Sequence, residues 1–185
     1  VSIVASRWDS TLEPPSPGHR SPRRAMRLGL RLVKGMGEDT AVSIVNARDR
    51  AHFTSLQDLV HRASLKKNEI EALAEAGALT PLIPERRDAL FRARAPREGG
   101  LFEGMSIESE EDVGLRPMPA LQQLALDYGR VGLSLHDHPM KHLREELRRR
   151  GVRRAEELRS LHDGSTVRVA GLVIGRQRPG TAKGI

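Results

Sequence analysis

"LVKGMGEDTAVSIV", residues 32–45, is the stretch that decides the fold of this 185-residue chain. Glycine is a poor helix former, so Gly35 and Gly37, set around Met36, interrupt the element begun over residues 30–34. From residue 38 an amphipathic pattern resumes, with Ala41, Ile44 and Val45 at three- and four-residue spacing. This spacing predicts helix, very tight turn, helix. In such a hairpin, glycines admit positive φ and let a phosphate approach the backbone with no Cβ in the way. The N–H groups that open the second helix, together with its dipole, favour negative charge. Lys34 adds a point charge, Met36 is expected to plug the turn into the core, and small Ala41 lets the helices approach closely. Lys34, Gly35, Met36, Gly37 and Glu38 are therefore candidate contacts to a DNA backbone. Arg27 and Arg31 join them, from a run of arginines (Arg20, Arg23, Arg24, Arg27, Arg31) on the approach to the turn. A helix–helix corner with no ligand fits the same residues. Backbone contact would fall steeply with salt and ignore base sequence.

Working outward, the first residues of segment 1–24 read as a short strand, and the Pro-Ser-Gly run after Glu13 as an exposed loop. Residues 25–95 read as one helical region. An extended approach and short helix lead to the turn, and a helix of about three turns follows over 38–50. Ser55 and Asp58 form a capping box for a helix over 56–62. Ser64 is expected to cap the next helix, with Ile70, Leu73 and Ala74 on its apolar side and Gly77 at its end. Pro84 is expected at the first position of the helix after that. Residues 96–119, rich in Gly, Pro and acid, read as a linker.

Segment 120–162 reads as a helical connector. Its first helix shows Leu121, Leu124, Ala125 and Tyr128 on one side. Its second, over 140–150, is expected to turn Leu143 and Leu147 inward and Arg144, Arg148, Arg149 and Arg150 mostly outward. In 163–185, Val167, Val169, Leu172 and Ile174 suggest a strand running into a hairpin at Pro179-Gly180. A lone hairpin is marginal in water, so the chain reads as part of something longer. The expected fold class is mainly α.

Charge narrows the partner. Lys and Arg number 31 against 24 Asp and Glu, a net of +7. That balance favours a polyanion, nucleic acid before a membrane surface. Aromatic residues make up only 3%, which disfavours a base-stacking platform and leaves phosphate contact as the easier mode. Cysteine is absent, so disulfides and thiolate zinc sites are excluded. No apolar run reaches the length of a membrane span, and the expectation is a soluble, cytoplasmic protein.

His136, His138 and His142 suggest a metal, but Pro139 breaks their geometry and a capped helix start is the preferred reading. The run "REELRRRGVRRAEELR" reads as a solvated helix face or as a nucleic-acid track. Glu108, Glu110, Glu111 and Asp112 sit in the linker and make no metal clamp. No Ser-His-Asp set, phosphate-binding glycine loop or dinucleotide fingerprint is present.

Several segments, taken in order, resemble one family. "RLGLRLVKGMGEDTAVSIVNAR", "FTSLQDLVHRASLKKNEIEALAEAGAL", "RRDALF", "DYGRVGLSLHDHPMKHLR" and "VAGLVIGRQRPGTAKG" resemble the C-terminal part of bacterial C-family DNA polymerases, the DNA polymerase III alpha type. "WDSTLE", "GLSLHDHPM" and "RQRPGTAKG" are closer to the error-prone translesion branch. The resemblance implies a tandem helix-hairpin-helix region over 25–95 that grips duplex DNA behind the polymerase site, and the start of a truncated OB-fold over 163–185. Arg176, Gln177, Arg178 and Lys183 would lie on its first hairpin, with Arg176, Arg178 and Lys183 as further expected DNA contacts. It also implies a parent DNA-directed DNA polymerase, active in translesion synthesis and repair. Mg2+ would belong to the palm carboxylates of that parent, which have no counterpart here, so no cofactor and no catalytic residue are expected in this chain and it is expected to be inactive alone. Its partners would be duplex DNA, the remainder of the polymerase and other replication or repair subunits, with no membrane. The alternatives are a free-standing helix-hairpin-helix repair protein and a scaffold whose arginines meet an acidic protein.

Overall fold

Local signals account for most of the helices in the computed structural model, which describes residues 1–14, 24–95 and 115–177. It divides the chain into two units, Val1–Ser134 and Leu135–Ile185. The protein is mainly α-helical.

In the first unit, strand β1 (Thr11–Glu13) pairs antiparallel with β2 (Ala25–Arg27), Leu12 facing Met26. A single 3-10 turn, Leu30–Leu32, leads to the glycine turn. Helix α1 (Glu38–Arg50) follows, with Glu38 and Asp39 in its first turn and Arg48 and Arg50 in its last, each sign placed favourably against the helix dipole. Helix α2 (Leu56–Ala63) packs on α1. Helix α3 (Lys67–Glu75) packs on both α4 (Arg86–Arg94) and α5 (Ala120–Arg130). The core they share is aliphatic: Ile3, Leu30, Val33, Ile44, Leu59, Ile70, Leu73 and Leu79 are fully buried.

Capping residues set several boundaries. Ser55 Oγ accepts the Asp58 amide at 3.1 Å, and the Asp58 carboxylate accepts the Thr54 amide at 3.1 Å and Arg62 at 3.0 Å. The Thr54 amide, ahead of Arg62, holds the Asp58 carboxyl below its usual range. A depressed folded value means that this contribution is complete above the ordinary aspartate pKa of 3.8 and is lost as pH falls through the folded value. Acid titration by far-UV circular dichroism should therefore show Asp58→Asn less stable than the parent at neutral pH, with the two curves converging below the carboxylate range. Parallel curves would remove the cap from the account.

Gly77 ends α3 in the left-handed region, φ +67°, and the Ala78 amide reaches back to the Leu73 carbonyl at 2.9 Å. Arg62 ties α2 to the end of α1. It donates to the carbonyls of Ala47, Ala51 and His52 and lies 5.0 Å over the Phe53 ring.

Four local expectations change. The first residues form a turn that buries Ile3 and Ser6, and the strand comes later, at Thr11–Glu13. Ser64 does not cap α3: it ends α2 at φ +53°, and Lys66 stands at the cap of α3. Pro84 precedes Glu85, the cap of α4, so it lies outside that helix. On α5 the buried face is Leu124 with Asp127, whereas Leu121 and Ala125 are exposed. Arg86 explains that last change. It meets Asp127 at 2.7 Å and the Gln123 carbonyl at 3.0 Å, which rotates α5 so that the carboxylate faces inward.

In the second unit, α6 (Pro139–Arg149) starts at His138, whose Nδ1 accepts the Met140 amide at 3.2 Å. Asp137 accepts the His138 amide at 2.8 Å and lies 2.7 Å from His142 Nε2. This is the capped helix start read from the three histidines. Leu143 is exposed and Leu147 half-buried, so neither forms a buried core, and Arg144 is half-buried instead of outward. Strand β3 (Val152–Arg153) pairs with β4 (Arg168–Val169) in parallel, and a 3-10 segment, Ala155–Ser160, lies between them. Of the stretch expected as a strand, Arg168–Val169 alone is one among the described residues, and Ile174 is 94% exposed. The hairpin at Pro179-Gly180 and the linker acids 108–112 lie outside the described residues. Among the described residues no helix is long and apolar enough to cross a membrane.

Candidate nucleic-acid interface

Gly35 takes φ +87°, a conformation that costs a side chain free energy, while Gly37 has φ −88° and ψ 157° as the cap of α1. Positive φ is thus needed at one of the two glycines. Between them Met36 is 8% exposed and closes the core under the turn. The amides of Lys34 and Met36 are spent internally, on the Arg130 and Val33 carbonyls at 2.9 and 3.0 Å. Among the described residues no acceptor takes the amides of Gly35, Gly37, Glu38 or Asp39, and all four residues are exposed. The Lys34 side chain is exposed beside them.

Arg130, on α5, fixes this turn from behind. Its Nη1 donates to the Lys34 carbonyl at 3.1 Å, its own carbonyl accepts the Lys34 amide, and its Nε is held by Glu75 at 2.6 Å. Nothing local in the sequence joins residues this far apart.

The turn between α2 and α3 repeats this course. Ser64 at φ +53° stands where Gly35 does, and Leu65, 6% exposed, stands where Met36 does. Lys66, at φ −80° and ψ 160°, stands where Gly37 does. The shift of 29 positions carries into the helices: Thr40 and Glu69 correspond and bond to each other at 2.6 Å. The buried Ala41 and Ile44 correspond to Ile70 and Leu73. Here too the amides of Lys67 and Asn68 meet no acceptor among the described residues. Lys66 and Lys67 are exposed. Sequence reading passed over Ser64, Leu65, Lys66 and Lys67 because a serine hides the positive φ. The signal was the apolar Leu65 directly before a lysine pair and a helix.

The two turns differ in charge. Lys34 is offset by Glu38 and Asp39, whereas Lys66 and Lys67 are followed by Asn68 and by a Glu69 already bonded to Thr40 and to the Lys66 amide. The flanking arginines are committed elsewhere. Arg27 makes two bonds to Glu13, at 2.9 and 2.8 Å, which push the Glu13 carboxyl down and the guanidinium up. Arg31 pairs with Asp9 at 2.6 Å. Arg176 is exposed in the second unit; Arg20, Arg23, Arg178 and Lys183 lie outside the described residues. No three His, Asp or Glu side chains among the described residues are arranged to hold a metal ion, and no step through Mg2+ is assigned to this chain.

This paired-turn geometry agrees with comparison to known families. The family model for the helix-hairpin-helix motif matches residues 1–89. The chain is 42% identical over 187 residues to the error-prone DNA polymerase of Pseudomonas fluorescens (strain Pf0-1) and 41% identical over 198 residues to error-prone DNA polymerase 1 of Agrobacterium fabrum. It is 42% identical over 185 residues to the error-prone DNA polymerase of Aromatoleum aromaticum. Each match covers the whole of this chain. Along its whole length the chain is similar to error-prone DNA polymerases. It spans 18%, 18% and 17% of the lengths of those three relatives, and a C-terminal segment of such a polymerase fits. Because the likeness continues past residue 89 to the end of the chain, it favours a polymerase segment over a free-standing helix-hairpin-helix protein.

Proposed function

We propose that this chain holds duplex DNA by its sugar–phosphate backbone, without regard to base sequence, as one part of a longer error-prone DNA-directed DNA polymerase. The observation that carries the reading is the pair of matching turns, each offering unbonded helix-start amides and exposed lysine to solvent. Amides and lysines of this kind suit phosphate oxygens and carry no base-edge code. Lys34, Gly35, Gly37 and Glu38 contribute backbone amides or charge at the first turn, and Lys66 and Lys67 at the second. Met36 and Leu65 support the turns from inside. Arg27 and Arg31 serve the β-ribbon first, and Arg176, Arg178 and Lys183 belong to a separate expectation for the second unit.

In the longer protein, nucleotidyl transfer would take place on another part of the chain, and this part would hold the product duplex behind it. Translesion synthesis and repair in the cytoplasm, with further replication subunits as partners, follow from the kinship and are proposed on that basis. An OB-fold begun by residues 163–185 is proposed as well. Its support is the exposed Val173 and Ile174, apolar residues that a completed barrel would cover.

The test is fluorescence anisotropy of the chain with random-sequence duplexes between about 50 and 200 mM salt. Affinity should fall log-linearly with salt and change little with base sequence. Salt-independent binding, or binding to an acidic protein in preference to DNA, would overturn the proposal.

A further inference from the structure

The net charge of the chain is concentrated where the helix-hairpin-helix motif is not. Residues 135–185 hold 12 Lys and Arg against 6 Asp and Glu, six of the seven net positive charges. The arginines at the end of α6 have an acid beside them: Arg148 pairs with Glu145, and Arg149 and the following Arg150 both pair with Glu146. Arg144 is different. Its Nη1 is buried and has no hydrogen-bond partner among the described residues. Its helical neighbours at three and four positions are Met140, Lys141, Leu147 and Arg148, none of them an acceptor. A guanidinium stays ionised in proteins, so a buried nitrogen of this kind calls for an acceptor from elsewhere.

Around it lies a cleft of about 560 Å³, formed by the capping His138 and by Met140, Lys141 and Arg144 of α6, with Arg154, Ala155 and Glu156 at the 3-10 segment. Three cations face one carboxylate. Glu156 is turned onto Arg154 at 3.1 Å, and Lys141 is held only loosely, 3.4 Å from Asp137, with its side chain 74% exposed. The exposed Lys141 ammonium can turn from Asp137 toward an anionic guest.

We propose that this cleft binds a phosphodiester group of nucleic acid, with Arg144 as its central donor and Lys141 and Arg154 at its mouth. A phosphate offers the acceptors that Nη1 lacks and matches the planar fork of arginine. This would be a second contact, separate from the two turns, and it rests on the reading of the protein as a DNA binder.

The test uses the 185-residue chain with labelled random-sequence duplex and single strand. Arg144→Met keeps the aliphatic stem and removes the guanidinium. It should weaken binding in at least one arm about five- to tenfold and lower the log–log salt slope by about 0.9, the share of one phosphate. Its melting temperature should stay level or rise, because an unsatisfied buried N–H group has gone. A merely structural arginine would do the reverse. Lys141→Gln, at the exposed mouth, should weaken binding about two- to threefold with no fold effect. Arg149→Gln should bind like the parent.

Unchanged affinity in both arms for Arg144→Met or for Lys141→Gln overturns the proposal, as does an equal loss of binding to labelled polyglutamate. If Lys66→Glu abolishes duplex binding while both cleft variants bind like the parent, the cleft fails and the paired turns stand. If the parent chain binds neither strand form, both readings fail.

Discussion

Replacing Gly77 by alanine is expected to cost the first unit about 3–5 kcal/mol, measured by urea unfolding followed by far-UV circular dichroism. Two costs combine. At φ +67° a side chain sits in the left-handed region, at about 1–2 kcal/mol. The added Cβ would also press on the Arg86 guanidinium, 3.1 Å from Nε and 3.2 Å from Cζ, with Nη2 closer still. A free arginine would swing away cheaply, but this one is pinned. Its Nη2 meets Asp127 at 2.7 Å with both side chains nearly buried, its Nη1 meets the Gln123 carbonyl, and Ser134 Oγ completes the carboxylate at 2.6 Å. Moving Arg86 therefore leaves a nearly buried carboxylate without its cation. A loss below about 1 kcal/mol, the ordinary glycine-to-alanine range, would show that the guanidinium yields and that the pair is not holding α5 against α4.

The second large effect concerns binding. The double substitution Lys66→Glu with Lys67→Glu is expected to lower duplex affinity about a hundredfold at about 0.1 M salt and to reduce the salt slope by close to two phosphates. Both side chains are exposed at the start of α3, beside the unbonded amides of Lys67 and Asn68. Reversing them replaces attraction by repulsion where the backbone is open. Lys34→Glu should cost less, about tenfold, because Glu38 and Asp39 already offset that lysine. Anisotropy with random duplex distinguishes the two, and thermal melting checks that the exposed substitutions leave the fold intact. A double variant within threefold of the parent would move the DNA contact away from the second turn, as would a larger loss from Lys34→Glu.

Much of the fold was open to reading in advance because helices are specified over a few residues. The bounds of α1, the Ser55 cap and the Gly77 stop all follow from neighbours three or four positions apart. Pro84 and Ser64 were misplaced for a related reason. Each is a residue type favoured at helix ends, and which end it serves depends on how the chain turns afterwards. The buried face of α5 was misjudged because an aspartate took the inward place that hydrophobic spacing gave to alanine. Only its pairing with Arg86, 41 positions away, makes that burial tolerable.

The candidate site divides along the same line. By itself the sequence determined the mainly helical fold, the glycine turn with its lysine, and the likeness of the chain to error-prone DNA polymerases. Tertiary structure decided which amides of that turn stay open, because the carbonyl of Arg130, 96 positions away, accepts the Lys34 amide while its guanidinium donates to the Lys34 carbonyl. It also decided that Ser64–Lys66 repeats the turn, since a serine's left-handed backbone leaves no mark in the sequence. Every arginine here can pair with any nearby acid, and chain distance says little about which acid is near. Folding alone assigns Arg27 to Glu13 and Arg86 to Asp127, and leaves Arg144 without an acid among the described residues.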